Sequence, residues 1–288
     1  MIKDKSMGRK LIFLDIDGTL LPPGDMLIPE STLAALDRAR ANGHKLFLCT
    51  GRNHRMTEPL LRHDCFAGAV CSAGGYVLCD GKTLVDIPME PQQAEGVRAA
   101  LENGVDSIEH GAKPDAEILR LFKDTGAFLC TTISPALPYA LFDRSITHAT
   151  EVEQYNGTIV FEGIIDCAKA ALANDIPVVL GNDVGCPWIT QYDFWRELCY
   201  FHKYCCVSNR FALYTATLRN AQLAGIGDVT GSIAPGKSAD FIVTRENPLE
   251  DLRALQHLEL VVCRGRAVKK PSPKRKKEVD ALLDPYLV

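Results

Sequence analysis

The sequence predicts an α/β protein made of two differently patterned stretches and a small closing β element. Three observations carry that expectation. Short apolar runs end in acidic or glycine-containing turns, as across residues 11–19. Helix-like stretches closed by glycine lead into further short apolar runs, which implies parallel strands under helical cover. After Asp228 this pattern gives way to closely spaced turns and short strands.

Taken in order, residues 11–16 (LIFLDI) read as a buried strand running into the turn Asp15-Ile16-Asp17-Gly18-Thr19. Residues 29–42 read as a helix, with Pro29 suited to its first turn and Gly43 to its C-terminal stop. Residues 45–49 form a second strand that runs into Thr50-Gly51-Arg52, and residues 69–72 a third. A hairpin around Asp80-Gly81 joins residues 76–78 to 83–87. The second stretch opens with an amphipathic helix over 91–103 and a short strand over 105–109 that ends at His110-Gly111. Asp115 is placed to cap a helix through Lys123, Gly126 stops it, and residues 127–132 form the next strand. Residues 167–174 are helical, 176–180 extended up to Gly181-Asn182-Asp183, and 208–223 helical again, closed by Gly225. Short strands are expected at 241–243 and 260–263, and residues 269–277 form a basic, proline-containing stretch expected to be solvated.

The 288 residues suffice for one large or two ordinary domains. A formal net charge of −4 gives no overall electrostatic case for a nucleic-acid or membrane partner. No apolar run approaches the ~20 residues needed to span a bilayer. The first ten residues are charged and polar, unlike a signal peptide. Eleven cysteines are scattered without a CxxC pair, which suits a reducing compartment and disfavours a zinc knuckle. The expectation is a cytoplasmic protein acting on a small molecule, without a nucleic-acid or membrane partner and compatible with a homo-oligomer.

Asp15 and Asp17 lie two apart at the end of a predicted strand, where open α/β folds place their sites. Two carboxylates this close repel unless a cation such as Mg2+ holds them. Asp15 could attack phosphorus while Asp17 moves a proton, and Thr50 could bond a phosphoryl oxygen through its hydroxyl and backbone N–H. A solvated acidic turn and a capping threonine remain the alternative. Phe13-Leu14-Asp15-Ile16-Asp17-Gly18-Thr19-Leu20 resembles the first motif of the haloacid dehalogenase-like phosphatases, and Cys49-Thr50-Gly51-Arg52 resembles the second. Ser72-Ala73-Gly74-Gly75-Tyr76 is similar to the sugar-phosphatase branch. The resemblance spans residues 9–90. It implies Asp15 as nucleophile, Asp17 as general acid/base and Mg2+ ligand with Asp15, phosphate binding by Thr50, Gly51 and Arg52, and Asn53 near substrate. The later lysine and acidic motif of that family are absent; the nearest imitation is Lys169 followed by Gly181-Asn182-Asp183.

His110 and Asp183 each end a predicted parallel strand, and side chains at such strand ends converge on one mouth. A histidine and an aspartate can share a metal, the aspartate accepting a proton from bound water. A satisfied polar residue and a helix cap are the alternatives. Residues 104–111 (GVDSIEHG) and 179–185 (VLGNDVG) resemble the sixth- and eighth-strand signatures of the metal-dependent amidohydrolases, in the imidazolonepropionase-like and prolidase-like branch. Residues 215–225, 231–241, 247–249 and 262–265 extend that resemblance, which runs from 91 to 268. It implies Zn2+ bound by His110 and Asp183, Asp183 as general base, hydrolysis of amide or cyclic amide C–N bonds, and a partial TIM barrel. The family's His-x-His pair, its bridging lysine or glutamate, a further histidine and the N-terminal strands of its sandwich are absent. Zinc sites need three or more protein ligands.

The expected organisation is therefore a phosphatase-like fragment over 1–90, the last units of an amidohydrolase barrel over 91–227, a composite β-sandwich portion over 228–268 and a basic tail over 269–288. The expected function is an amidohydrolase-like hydrolase that is incomplete and weak or inactive. A Mg2+-dependent phosphatase using Asp15 and a non-catalytic chimeric protein are the rivals.

Overall fold

The computed structural model describes residues 9–21, 27–52, 54–86 and 92–287. It divides into two units, Met1–Gly96 and Val97–Val288. The expected change of style at residues 90 and 91, and Asn53, lie outside the described residues.

In the first unit β1 (Leu11–Leu14), β2 (Lys45–Cys49) and β3 (Phe66–Cys71) are parallel, and β4 (Tyr76–Cys79) and β5 (Lys82–Asp86) extend the sheet antiparallel, in the order β1-β2-β3-β4-β5. Helix α1 (Glu30–Ala41) connects β1 to β2, and α2 (His54–Leu61) connects β2 to β3. The core gathers Ile16, Leu20, Leu36, Leu46, Leu48 and Ala69. Strand β1 is not buried on both faces as its apolar run suggests: Leu11 and Phe13 are exposed, and Phe13 instead stacks on Phe47 at 5.2 Å. The sheet is a mixed one, parallel over β1, β2 and β3 and antiparallel over β4 and β5.

The second unit opens with α3 (Gln92–Glu102), whose first residues belong to the preceding unit, and continues with β6 (Ser107–Glu109), α4 (Ala116–Thr125) and β7 (Phe128–Thr131). Asp115 caps α4 by accepting the Ile118 N–H at 2.9 Å, and Gly126 takes the left-handed conformation that stops it (φ +71°). Three helices separate β7 from β8 (Val178–Leu180): α5 (Ile133–Leu141), α6 (Arg144–Thr147) and α7 (Glu151–Ala173). A reciprocal capping box between Thr150 and Glu153 starts α7. Helix α8 (Phe194–Cys205) follows, then α9 (Asn209–Tyr214) and α10 (Asn220–Leu223), joined by a π-helical turn over Thr215–Arg219.

Strands β6, β7 and β8 are parallel and form a three-stranded sheet in that order. The partial barrel expected from the amidohydrolase resemblance is corrected here: no sheet among the described residues closes on itself. At the β8 edge the side chain of Asn220 takes a strand's place. Its Oδ1 accepts the Leu180 N–H at 3.0 Å and its Nδ2 donates to the Leu180 carbonyl at 2.8 Å. The closing element is an antiparallel sheet in the order β11-β10-β9, from β9 (Phe241–Thr244), β10 (Leu258–Cys263) and β11 (Arg266–Lys269). The basic stretch is exposed apart from the half-buried Pro271 and leads into α11 (Lys277–Leu283), which is docked. Asp280 and Asp284 of this segment meet the buried Arg196 at 3.2 and 2.7 Å.

Candidate functional site

Each unit carries its own cluster of predicted residues. In the first, β1 delivers Asp15 and its tight turn delivers Asp17. The turn is drawn closed by the N–H groups of Leu20 and Leu21 on the Ile16 carbonyl, at 3.0 and 2.9 Å, with Gly18 at φ +75°. Strand β2 delivers Thr50, Gly51 and Arg52. Arg52 grips Asp17 with two guanidinium nitrogens: Nε donates to Oδ2 at 2.9 Å and a terminal nitrogen donates to Oδ1. This bond raises the Arg52 pKa further, with smaller contributions from the charges of Asp17 and Asp15. Asp15 is also felt by Cys49, whose thiol is pushed up by burial first and by that carboxylate second. Thr50 is buried. Its backbone N–H is committed to the Val70 carbonyl at 2.9 Å, so it is not the free phosphate donor that the sequence suggested. The Thr50 hydroxyl oxygen accepts the Arg52 N–H at 3.2 Å and keeps its own proton to donate. Two expected anion-binding groups, Thr50 and Arg52, thus lie with the two aspartates at the ends of adjacent parallel strands.

In the second unit His110 follows β6, Thr132 follows β7 and Asp183 follows β8. His110 and Asp183 both leave their strands in the left-handed region, at φ +62° and +48°. His110 Nδ1 lies 2.5 Å from the Thr132 hydroxyl, and the backbone N–H of His110 donates to the Cys130 carbonyl at 2.8 Å. Asp183 Oδ2 accepts from the Cys186 thiol at 3.3 Å. Burial raises the Cys130 thiol strongly, and the carboxylates of Glu109, Glu197 and Asp183 add to it. Lys169 is exposed on α7 and enters the electrostatic surroundings of Cys205.

Two residues around this mouth were not legible in the sequence. Thr132 lies within a predicted strand, but nothing in its spacing marks it as the partner of His110. Glu197 of α8 is fully buried and accepts three hydrogen bonds at the start of α5, from the N–H groups of Ile133 (2.7 Å) and Ser134 (2.8 Å) and from the Ser134 hydroxyl (2.5 Å). Desolvation outweighs these bonds and lifts its carboxyl to about 7.

Zn2+ and Mg2+, expected from the two resemblances, are corrected by the donor geometry. Among the described residues no three His, Cys, Asp or Glu side chains gather so as to hold a metal ion. His110 and Asp183 bring no third donor, and Asp17 is committed to Arg52.

Comparison with known sequences resolves the ancestry. The amidohydrolase family profile matches residues 92–268, more than half of the chain. The chain belongs to the amidohydrolase family. Residues 12–106 match haloacid dehalogenase-like hydrolases, so this amidohydrolase-family chain carries an N-terminal region of a second hydrolase family. That region is 40% identical over 80 residues to pyridoxal phosphate phosphatase YbhA of Escherichia coli (strain K12), covering 28% of this chain and 27% of that protein. It is 32% identical over 88 residues to YkrA of Bacillus subtilis (strain 168), provisionally called a phosphatase, covering 31% and 34%. Among solved structures, one from Bifidobacterium longum, provisionally called a prolidase, is 30% identical at a TM-score of 0.66, with 96% of this chain and 60% of that chain covered. A Xaa-Pro dipeptidase with bound methionine shares the fold at a TM-score of 0.57 and 22% identity, with 90% and 54% covered. The chain thus spans less than two thirds of the length of these relatives. No helix among its described residues is long and apolar enough to cross a membrane.

Proposed function

We propose that the chain is an amidohydrolase-family protein in which hydrolysis of amide or cyclic amide C–N bonds is weak or absent. One observation supports this reading: His110 and Asp183, the two retained site residues, are bonded to Thr132 and Cys186, and no third donor among the described residues joins them. In that arrangement Asp183 could accept a proton from water and His110 could steady a carbonyl oxygen. Unassisted water has a pKa of about 15.7, however, far above that of a carboxylate base, so little hydroxide character develops. The test uses the purified full-length chain with Xaa-Pro dipeptides and N-acyl amino acids, beside His110→Ala and Asp183→Asn. Equal, near-background rates for all three proteins are expected. Turnover by the wild type that disappears in Asp183→Asn would overturn the reading.

A second reading, phosphoryl transfer through Asp15, is favoured by the placing of Asp15, Asp17, Thr50 and Arg52 at neighbouring strand ends and by the 40% identity to a phosphatase over that region. In this reading Asp15 attacks phosphorus, an acyl phosphate forms, and the leaving oxygen takes a proton from Asp17. Arg52 occupies both Asp17 oxygens, so Asp17 is free to pass a proton to the leaving oxygen only when the guanidinium turns to the incoming phosphoryl oxygens. Release of p-nitrophenol from its phosphate ester, abolished in Asp15→Asn, would establish this reading. No release by the wild type would remove it.

A further inference from the structure

Helix α5 begins directly after β7, and its N-cap residue is Thr132. A threonine in that place ordinarily turns its side-chain oxygen to the N–H of the second or third helical residue. The third is Pro135, which has no N–H, so the Ser134 N–H is the remaining target. Thr132 does not take it. Its side chain makes no capping bond, and its hydroxyl lies 2.5 Å from His110 Nδ1 instead. Elsewhere in the same unit Asp115, Thr150 and Ser208 each cap their own helix.

The start of α5 is capped from another helix. Glu197 Oε1 accepts the Ile133 N–H at 2.7 Å, and Oε2 accepts the Ser134 N–H at 2.8 Å and the Ser134 hydroxyl at 2.5 Å. Glu197, Thr132 and Ser134 are 0%, 3% and 3% exposed, so bulk water does not share in these bonds. No cation competes for the carboxylate. Arg196, its neighbour in sequence, is turned to Asp193, Asp280 and Asp284. The titratable groups that feel the Glu197 charge are Cys130, Tyr200 and Cys205, and burial holds all three neutral.

We infer that Glu197 is a positioning residue of the mouth: by capping α5 in place of Thr132, it frees the Thr132 hydroxyl to hold the His110 ring. The inference rests on the reading of His110 as the group that steadies a carbonyl oxygen. A hydroxyl that donates to Nδ1 leaves the ring proton on Nε2, which is the donor such an oxygen needs. Without the carboxylate, the Ser134 N–H becomes a buried donor lacking an acceptor. The Thr132 hydroxyl then turns to it as an ordinary N-cap and leaves His110.

The test is nitrogen-15 NMR of the histidine rings in the full-length chain at pH 8, where the wild-type carboxylate is largely ionised. The His110 signals are assigned by their loss in His110→Ala. Glu197→Gln keeps an oxygen for the Ile133 N–H and offers its NH2 to the Ser134 hydroxyl, so the Ser134 N–H alone loses its acceptor. The His110 Nδ1 signal is expected to shift in Glu197→Gln, and to shift equally in Thr132→Val, which removes the hydroxyl and keeps the branched shape. The double variant should show no further shift. Hydrogen exchange of the Ser134 N–H gives a second readout. It should stay slow in Glu197→Gln, where Thr132 takes over the cap, and quicken about fivefold in the double variant, the effect of one lost hydrogen bond. An unmoved Nδ1 signal in either single variant would overturn the inference, as would shifts that add in the double variant or exchange that does not quicken there. None of these arms reads turnover. Amide hydrolysis by the wild type, lost in Asp183→Asn, would sink the weak-hydrolase reading and leave these results standing.

Discussion

Replacing Glu197 with Gln tests how the second unit tolerates a buried carboxylate at the mouth of its parallel strands. Glu197 is fully buried, and its pKa rises from 4.5 to about 7 because desolvation outweighs the bonds from Ser134 and Ile133. At about 1.4 kcal/mol per pH unit, that rise makes ionisation cost the folded state about 3 kcal/mol more than the unfolded chain. The sign follows from proton binding. Between pH 4.5 and about 7 the folded state holds a proton that the unfolded chain has released, so stability falls as pH rises through that window. The favourable contribution is complete below 4.5 and gone above about 7. Glutamine resembles the protonated acid in shape and charge, so the variant should lack this pH dependence. At pH 8 it should exceed the wild type by up to about 3 kcal/mol, or roughly 6–12 °C in Tm for a unit of this size. At pH 5 the two should be nearly equal. Urea unfolding at both pH values, followed by far-UV circular dichroism, reads this directly. The N-terminal dipole of α5 and three donors act in the other direction. A variant less stable than the wild type at pH 8 would mean that they win and that the ionised carboxylate holds the helix.

Three further outcomes follow from packing and charge. Arg196→Met leaves Asp193 and Asp280, both buried, without their shared cation; denaturant unfolding should show a loss of about 3–5 kcal/mol, against less than about 1 kcal/mol for Asp284→Asn, whose side chain is 58% exposed. Gly68→Ala would put a methyl group 1.9 Å from the Leu78 carbonyl oxygen in the β3–β4 pairing; a cost of about 3 kcal/mol or more is expected in thermal unfolding. Burial holds the thiols of Cys167, Cys199 and Cys205 up at about 11, about 12 and about 12, so at pH 8 no more than about one in a thousand of each is thiolate. An aromatic disulfide reagent should label the exposed Cys206 and Cys263 first and reach those three only as the chain unfolds.

The parts of this fold that were legible are the ones written in local chemistry. The turn after β1 could be read because two aspartates, a glycine and a threonine fall within five residues, and α4 because Asp115 and Gly126 mark its ends. Helix α8 was not read from the sequence: its charged Arg196 and Glu197 are buried along with Trp195, Leu198, Cys199, Tyr200 and Phe201, so its polar positions do not mark a solvent face. Helix α7 was recognised only over its last third. Gly157 and the β-branched Thr158, Ile159 and Val160 interrupt its propensity, and Val152, Tyr155 and Ile159 are apolar on an exposed side. The partners of the site residues were hidden for a different reason. Thr132 reaches His110 across 22 positions and Glu197 reaches Ser134 across 63, and a single sequence carries no signal of such pairing.

The resemblance to barrel enzymes was right about ancestry and misleading about closure, and Asn220 indicates why both can hold. A buried strand whose outer N–H and C=O lack partners loses about 1–3 kcal/mol for each unsatisfied group. Strand β8 is buried throughout, so its outer edge could not simply be left bare. Asn220 offers one acceptor and one donor in the geometry of a neighbouring peptide, and it closes both bonds to Leu180 from α10. The edge is satisfied by a side chain within the same unit, and no further strand is needed there to hold β8 in place. The mouth that carries His110 and Asp183 is affected differently. Backbone satisfaction can be supplied locally, but the convergence of several donors on one point depends on additional strands. Three parallel strands deliver His110, Thr132 and Asp183, and the first two of these bond each other. Stability and chemistry therefore separate in this chain: the sheet keeps its shape with three strands, while the donor set it carries among the described residues stays short of the number that metal-assisted hydrolysis requires.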